Sequence, residues 1–581
     1  MHRSLLPQAR GDEKADLVLK NARILDVFQE EVRSDDLAIA DGIILGWGDY
    51  AGHQEIDLAG AYLTPAFIDP HLHVESSQVA AANLAREIIP RGVTTIVADP
   101  HEIANVAGIE GIKYLLSAGR KLPWNFYLML PSCVPATDWE EAGAELDAES
   151  LQKLMQEENI FGLGEVMDFP GVIQGEEKLW SKLELASDSF IDGHAPEVTG
   201  EELNAYLLGG IKADHECTTA EEAREKVARG MYIMIREGSV TKDLEELLPV
   251  VKEGNVSRFM FATDDRQPED ILNQGHLDYA VKLAISQGMK PERAYRMATL
   301  NPAQALGLDE LGAISPGKRA DLLVLSDLES VDPTYVIKDG EILVRNNKVR
   351  ESFTASLDAV TKKDKEINSK IKERIFNSVS CGEIEESDFV IPEGQKFRVM
   401  ELKEDQVLTG STHLKVKENE SFSRKIKKEN ISRLAAVERH KATGKVGLGL
   451  VKGFNMKEGA LATSISHDSH NIMVLGQNIN DMKTAVEELI SSQGGMVAVN
   501  NGQLIAGLSL SIAGLMSNDS LKTAAKKLRK LRKAAENLGI DHPEPFMQLS
   551  FLSLPVIPDL KLTVNGLFDV RKFELVPLVV K

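Results

Sequence analysis

Histidines and acidic residues follow short apolar runs at regular places along the first half of the chain. In FIDPHLHVESS, His71 and His73 stand two residues apart at the end of an apolar run. Side chains at positions i and i+2 of a strand point to the same face, so these two imidazoles can bind one ion. Four further candidate ligands end later runs: Glu165, His194, His215 and Asp264. Imidazole and carboxylate are ligands of Zn, Mn and Fe, and six of them predict two ions bridged by a carboxylate and a water.

The elements that must position these residues are predicted to be eight parallel βα units. The apolar runs are LTPAFIDPHLH, TTIVADPHE, NFYLMLPSCVP, IFGLGEVMDF, SFIDGHAP, GIKADHECT, MYIMIREGS and RFMFATDD. Helix-like segments such as VAAANLAREIIPRG and TAEEAREKVARG separate most of them. Eight buried strands alternating with helices predict a closed (β/α)8 barrel, in which the chemistry lies at the carboxyl ends of the strands.

The segments that flank the barrel resemble each other. From Ala15 to Leu63, short runs of period two with Gly and Asp at the breaks predict a small antiparallel sheet. ADLVL, which begins at Ala15, is echoed by ADLLVL, which begins at Ala320, so both flanks are expected to join one sheet. We therefore predict an α/β protein with a TIM-like barrel in residues 65–304. A composite β-sandwich domain would take residues 1–64 plus 305–352, and an additional C-terminal α+β domain residues 353–581.

Composition excludes some classes of partner. The 89 acidic residues outnumber 66 Lys and Arg, which gives a formal charge of −23 and argues against a nucleic-acid or membrane-surface binder. Cys133, Cys217 and Cys381 are too scattered for a disulfide framework or a CxxC zinc site, so a reducing, cytoplasmic compartment is expected. We find no pattern typical of a signal peptide and no apolar run of about 18 residues that would span a bilayer.

The order of the candidate ligands resembles that of the amidohydrolase superfamily, with PAFIDPHLH on strand one and Asp after strand eight. Within it, several motifs resemble those of the bacterial adenine deaminase family. They are FIDPHLHVESS, GLGEVMDFPGV, DGHAP, DHECT, IREGS, FATDDR, ATSISHDSHNI and LPVIPDLKLTVNGLFDV. The resemblance covers nearly the whole chain, including the C-terminal domain.

The resemblance implies a particular distribution of the ligands. His71, His73 and Asp264 would hold the first metal, and His194 and His215 the second. Glu165 would bridge the two, where many superfamily members carry a carbamylated lysine. Two divalent transition ions are expected, with manganese favoured and iron or zinc open. The implied reaction is hydrolysis of adenine to hypoxanthine and ammonia in purine salvage, by an enzyme expected to be a homo-oligomer (dimer or tetramer).

The residue types fit this chemistry. Displacing the amine at C6 of a purine needs a nucleophile at neutral pH, which a metal-bridged hydroxide supplies. Asp264 is placed to accept a proton from the attacking water and return it to the departing ammonia. A further acid would protonate a ring nitrogen, and the sequence does not choose among Glu216, Glu237 and Glu75.

Other polar residues near the predicted strand ends have several open roles. His101 and Glu102 end the second strand and could contact the purine, bind an accessory metal with Glu75, or be structural. After the seventh strand, Arg236 and Ser239 are candidate purine contacts, and Asp265 follows Asp264. In the C-terminal domain the SHDSHN segment, with His467 and His470, would either cap the barrel mouth or form a turn.

Three alternative functions fit the sequence less well. An N-acetyl-sugar-phosphate deacetylase or an isoaspartyl dipeptidase-like enzyme could use the same metal site, but a phosphate would favour basic residues at strand ends that are acidic and His-rich. A non-catalytic scaffold is disfavoured because all six ligands are present. A zinc deaminase of the HxE…PCxxC type is excluded by the cysteine pattern.

Overall fold

The computed structural model describes residues 2–580 apart from 138, 364–368 and 404–407. After a short helix, Leu6–Ala9, five strands come first: β1 (Ala15–Asp26), β2 (Glu31–Ala40), β3 (Ile43–Trp47), β4 (Gly52–Asp57) and β5 (Tyr62–Pro65). β1, β2 and β3 pair antiparallel, but β4 and β5 both pair in parallel with β1. The antiparallel prediction is therefore confirmed for β1 to β3 and wrong for β4 and β5. The long β1 pairs with β4 along its first half and with β5 along its second, which makes the sheet mixed.

The barrel strands follow the predicted order. They are β6 (Phe67–Leu72), β7 (Val93–Ala98), β8 (Asn125–Pro131), β9 (Ile160–Val166), β10 (Phe190–Gly193), β11 (Ala213–Asp214), β12 (Tyr232–Arg236) and β13 (Phe259–Ala262). Each strand pairs in parallel with the next, from β6 to β13. Just beyond β13, the Asp264 amide donates to the His71 carbonyl over 3.1 Å and Leu72 forms a parallel bridge with Asp264. These contacts close the ring, and the predicted (β/α)8 barrel is confirmed.

Helices cover the outside of the barrel because each presents apolar residues to the buried strands. They are Ala81–Ile88, His101–Ala107, Ile109–Gly119, Ala148–Gln152, Phe169–Gln174, Glu177–Leu185, Gly200–Leu208, Ala220–Ala228, Leu244–Leu247, Pro268–Asn273, Leu277–Ser286, Pro291–Ala298 and Leu300–Leu306. His101 and Glu102 were predicted to end the second strand. They instead begin the helix that follows it. Their side chains are still held at the carboxyl end of the barrel.

After the barrel the chain returns to the first sheet. It adds β14 (Leu322–Leu325), β15 (Pro333–Lys338), β16 (Glu341–Arg345) and β17 (Lys348–Val349). β14 pairs antiparallel with β5, so both flanks of the barrel belong to one nine-stranded sheet. The composite sheet inferred from the ADLVL echo is confirmed, while the exact domain boundaries stay a prediction.

The C-terminal part forms a separate sheet with its own apolar core. Its strands are β18 (Lys396–Leu402), β19 (Thr409–Lys415), β20 (Ile431–Val437), β21 (Val446–Lys452), β22 (Ala460–Thr463), β23 (Ile472–Gly476), β24 (Gly495–Asn500) and β25 (Gln503–Ser509), followed by a small sheet of β26 (Leu560–Thr563), β27 (Gly566–Asp569) and β28 (Glu574–Val576). The helices of this part are Glu351–Lys363, Ser369–Phe376, Phe422–Lys428, Ile479–Ser491, Leu521–Asn537 and Pro545–Ser550. In the described part of the chain, no helix combines the length and apolarity needed to cross a membrane.

The C-terminal part docks on the barrel where β6 ends. The Ser517 amide donates to the Gln78 carbonyl and the Ala80 amide donates to the Ser517 carbonyl, both over 2.9 Å. Nearby, the Asn83 side chain donates to the backbone of residues 518 and 519. These hydrogen bonds place the C-terminal part over the barrel end where the candidate ligands lie.

A buried ion-pair cluster supports the sixth strand of the barrel. The Lys226 ammonium contacts the Asp214 carboxylate, lies 2.7 Å from Glu222 Oε1 and donates to the Ala195 carbonyl over 2.7 Å. Asp214 and Lys226 are fully buried. Asp214 directly precedes His215, so this cluster fixes the backbone from which a candidate ligand projects.

We predict that Lys226→Met lowers the free energy of unfolding by about 3–5 kcal/mol, because it leaves the Asp214 carboxylate buried without a partner. Arg229→Met, at the residue that follows the same helix, is the control. Its partly exposed pair with Glu225 should contribute less than about 1 kcal/mol. Urea denaturation of the three proteins measures both effects, and equal midpoints for the two variants would contradict the assigned role of Lys226.

Candidate metal centre

Four of the predicted ligands converge at the point where the barrel closes. His73 Nε2 lies 2.8 Å from Glu165 Oε1 and 3.3 Å from Asp264 Oδ1. His71 Nε2 lies 3.3 Å and 3.5 Å from the same two oxygens. With metal–ligand bonds of about 2.0–2.2 Å, tetrahedral ligand atoms stand roughly 3.4 Å apart. The four atoms thus have the spacing of ligands around one ion.

The remaining predicted ligands gather on the other side of the Glu165 carboxylate. Its Oε2 atom lies 3.2 Å from His194 Nδ1 and 3.9 Å from His215 Nε2, and those two nitrogens are 3.2 Å apart. Oε1 therefore faces one group of nitrogens and Oε2 faces the other. This is the arrangement expected of a carboxylate that bridges two ions.

The buried atoms at this centre fit divalent cations. His71 Nε2 and Glu165 Oε1 are buried without a hydrogen-bond partner among the described residues. Burial opposes protonation of His71, but the carboxylates of Asp192, Asp264 and Glu165 outweigh it and raise the His71 pKa well above its usual range. Negative charge is thus in excess here, and a cation of the imidazole–carboxylate class would neutralise it.

The two candidate carboxylate ligands are held in an unusual backbone conformation. Glu165 has φ 25° and Asp264 has φ 54°, both in the positive range that residues other than glycine seldom adopt. Such conformations cost about 1–3 kcal/mol each and cluster at functional sites. Each turns a side chain inward just where its strand ends.

Asp192 supports the centre, and the sequence interpretation did not include it. Its Oδ2 atom lies 3.0 Å from His71 Nδ1 and 3.5 Å from His215 Nδ1, so it can orient one imidazole of each group. The Asp99 carbonyl does the same for His73 Nδ1 at 3.1 Å. Contacts to the far ring nitrogen fix the tautomer and direct the near nitrogen toward a metal. The DGH motif carried a signal, because Asp192 stands two residues before His194 on one strand face.

Arg236 lies at the edge of the centre and contacts three carboxylates, and its role as a purine contact stays a prediction. The guanidinium is buried, and it contacts Glu216, lies 3.3 Å from Asp264 Oδ2 and donates to Asp243 Oδ2 over 2.9 Å. It therefore holds three carboxylates in place. Glu216 Oε1 lies 3.7 Å from His194 Nδ1, which puts this carboxylate at the edge of the metal centre.

Three other candidates lie nearby with distinct partners. Ser239 Oγ donates to Asp270 over 2.5 Å and accepts from the Gln267 amide, so its hydroxyl is occupied within the loops. Asp265 accepts from the Ser76 hydroxyl. Glu237 is buried, which raises its pKa to about 7, while the positive charges of Arg266 and Lys242 act to lower it.

A loop of the C-terminal part reaches the barrel end. His467 Nδ1 lies 2.8 Å from Glu102 Oε1, and His470 Nε2 contacts the other oxygen of that carboxylate. Glu75, whose pKa burial raises to about 7, lies close enough for its charge to interact with Glu102. For the SHDSHN segment the sequence allowed two interpretations, a cap over the barrel mouth or a simple turn. In the structure both imidazoles of the segment contact Glu102 of the barrel.

The fold and the site together define a metal-dependent hydrolase. Residues 62–343 match the model of the Amidohydrolase family, and residues 406–574 match the model of the Adenine deaminase C-terminal domain. The Adenine deaminase of Petrotoga mobilis is 50% identical over 100% of both chains. Adenine deaminase 2 of Carboxydothermus hydrogenoformans is 46% identical over 99% of both, and the Adenine deaminase of Clostridium acetobutylicum 43% over 98% of both. The chain belongs to the adenine deaminase family, which confirms the resemblance seen in its motifs.

We predict that Asp192→Ala weakens binding of divalent metal by about 10- to 100-fold, because His71 and His215 lose the carboxylate that orients them. Competition with a chelator of known affinity measures this change. The control is Asp188→Ala, which removes an exposed carboxylate just before the same strand. Equal metal affinity in the two variants would contradict the orienting role.

Proposed function

We propose that this protein hydrolyses adenine to hypoxanthine and ammonia. The observation that carries the proposal is the Glu165 carboxylate, which faces His71 and His73 with one oxygen and His194 and His215 with the other. It stands in a chain that aligns from end to end with relatives named adenine deaminase. The lysine expected at this position in dihydroorotase-like enzymes is absent from GLGEVMDF.

Two divalent ions bound at this centre would lower the pKa of a water and so supply a nucleophile at neutral pH. His71, His73 and Asp264 would hold one ion, His194 and His215 the other, with Glu165 between them. Manganese is the ion we propose, with iron and zinc as alternatives that the same ligand set accepts.

Asp264 is the proposed proton carrier. Its Oδ1 atom faces His71 and His73, while its Oδ2 atom is within 3.3 Å of Arg236 Nη1 and 3.4 Å of the Thr241 hydroxyl. A carboxylate so fixed beside the reacting water can take its proton and deliver it to the departing amine. Arg236 and Thr241 keep the side chain from rotating away.

Glu216 is the carboxylate we propose to contact the purine. Its side chain is 17% exposed and lies next to His194, which is 27% exposed and is the most open of the ligands. Burial acts against ionisation of Glu216, but Arg236 and His194 outweigh it and lower its pKa. The ionised carboxylate can therefore accept a hydrogen bond from an N–H group of adenine. A catalytic role for Glu75 stays a prediction, and Glu237 is the alternative candidate that the kinetics of its Gln variant test.

The deacetylase alternative finds no support at this centre. A phosphate group would need a basic side chain free to pair with it. The Arg236 guanidinium is already surrounded by Glu216, Asp243 and Asp264. We also propose a cytoplasmic location, consistent with the free thiols of Cys133, Cys217 and Cys381, and a homo-oligomeric state.

We predict that the protein, loaded with Mn, Fe or Zn in turn, converts adenine to hypoxanthine. The decrease of the adenine absorbance in the ultraviolet and the release of ammonia measure this reaction.

We predict that Asp264→Asn lowers kcat/KM for adenine by about 100- to 10,000-fold, because the proton carrier is lost. Asp188→Asn, at an exposed position, is the control. Acetate release from an acetylated amino-sugar phosphate, with adenine unchanged, would contradict the proposal.

We predict that Glu216→Gln lowers kcat/KM for adenine by about 10- to 100-fold, because a charged hydrogen bond to the substrate is lost. Glu237→Gln makes the same chemical change at a carboxylate that lies away from the ligands, and it should leave kcat/KM nearly unaltered. Steady-state kinetics of the two variants decide between them. A large loss in Glu237→Gln alone would assign the purine contact, or the proton donation, to Glu237.

A further inference from the structure

A third group of ligand atoms adjoins the paired centre on the side of β7. His101 Nδ1 lies 3.3 Å from Asp99 Oδ1 and 3.6 Å from Glu165 Oε1. All three residues are buried, with at most 5% of their surface exposed. We propose that Asp99, His101 and Glu165 bind a third divalent cation, beside the two ions of the catalytic pair.

Two of the atoms that face this site have no other partner. Among the residues that the structure describes, Asp99 Oδ2 and His101 Nδ1 are buried without a hydrogen-bond partner. Glu165 Oε1, which also lacks a hydrogen bond, lies 2.8 Å from His73 Nε2 and would be shared with the first ion of the pair. Buried polar atoms of this kind are costly unless something pairs with them, and an ion would satisfy all three at once. One nitrogen and two carboxylate oxygens also form a ligand set that divalent transition ions accept.

The backbone makes room for the Asp99 carboxylate. A Cβ atom on Gly164 would lie 1.9 Å from Asp99 Oδ2, so only glycine allows the carboxylate to sit against the strand that carries Glu165. The other oxygen, Asp99 Oδ1, accepts from the His101 amide over 2.9 Å. This hydrogen bond fixes the carboxylate, and Oδ2 is left without a hydrogen-bond partner among the described residues.

The second nitrogen of His101 is placed as it should be for a metal ligand. His101 Nε2 lies 3.6 Å from Glu102 Oε1, so the Glu102 carboxylate stands on the far side of the ring while Nδ1 faces Asp99 and Glu165. A carboxylate behind a metal-binding imidazole is a common support of such ligands. Glu102 would therefore act as a positioning residue of the third site and not as its ligand.

Glu102 is itself held by the C-terminal part of the chain. His467 Nδ1 lies 2.8 Å from Glu102 Oε1, and the ring of His467 stacks on Phe551 with centroids 4.8 Å apart. His470 Nδ1 accepts from the Ser466 amide over 3.2 Å, so its Nε2 carries a hydrogen and can donate to Glu102 Oε2. The third site would thus depend on the contact between the C-terminal part and the barrel.

The decisive measurement is the metal content of the full-length protein. It is loaded with Mn, passed into metal-free buffer and analysed by mass spectrometry of the metal. We expect about three ions per chain, two of them at the pair and one at the third site. A content of about two ions in the parent protein would overturn the proposal. Since no turnover is involved, this result is independent of whether adenine is the substrate.

Variants locate the additional ion. His101→Gln and Asp99→Asn should each reduce the content to about two ions per chain, and His470→Gln should weaken the third ion by about 10- to 100-fold through Glu102. His276→Gln is the matched control, because His276 is a buried barrel histidine that contacts Thr263 and Asp69 instead. An unchanged content of three in folded His101→Gln would refute the assignment.

A crystal of the Mn-loaded parent protein offers a second measurement that does not depend on the stability of any variant. An anomalous difference peak among Asp99, His101 and Glu165, separate from the two peaks of the pair, is expected. Peaks at the pair alone would refute the third site while leaving the proposed function intact. Absence of the pair itself would count against the proposed function.

Discussion

The negative charge of Glu165, buried at the centre of the barrel end, is the constraint on which the rest of the site depends. A carboxylate that is only 4% exposed must be paired, since an isolated buried charge is strongly unfavourable. Burial works against its ionisation, yet the surrounding imidazoles keep its pKa well below the usual range, with His101 and His73 contributing most. The imidazoles that face Glu165 follow different strands of the barrel, except that His71 and His73 both belong to the end of β6.

This constraint explains how the barrel is closed. The backbone hydrogen bonds between residues 71–73 and Asp264 join the first strand to the last at the level of the ligands. The same contact brings His71, His73 and Asp264 around one point. Below this level the strands are filled by apolar side chains, and above it the polar residues face one another. Closure of the sheet and assembly of the site are therefore the same structural event.

Outside the barrel, the chain supports the site from two directions. The composite sheet begins before the barrel and ends after it, so its pairing of β5 with β14 ties the start of β6 to the exit of the last helix. The C-terminal part lies at the opposite end of the barrel, where His467 and His470 contact the Glu102 carboxylate. Buried polar networks of this kind are stable only when each member has its partner. The C-terminal part is thus connected to the metal centre by side chains and not merely by packing.

The sequence by itself was sufficient for the barrel, the composite sheet and the six candidate metal ligands, because strand ends and the i, i+2 spacing of His71 and His73 are local properties. The tertiary structure decided the orientation of the side chains and the residues that they contact. Arg236, a candidate purine contact by its place at a strand end, lies against Glu216, Asp243 and Asp264, and a strand-end position alone does not show which residues a side chain contacts. The parallel pairing of β4 and β5 with β1 and the contact of His467 with Glu102 likewise depend on residues distant in the chain. Such contacts leave no periodic or local signal, since they exist only once the barrel has closed and the C-terminal part has docked.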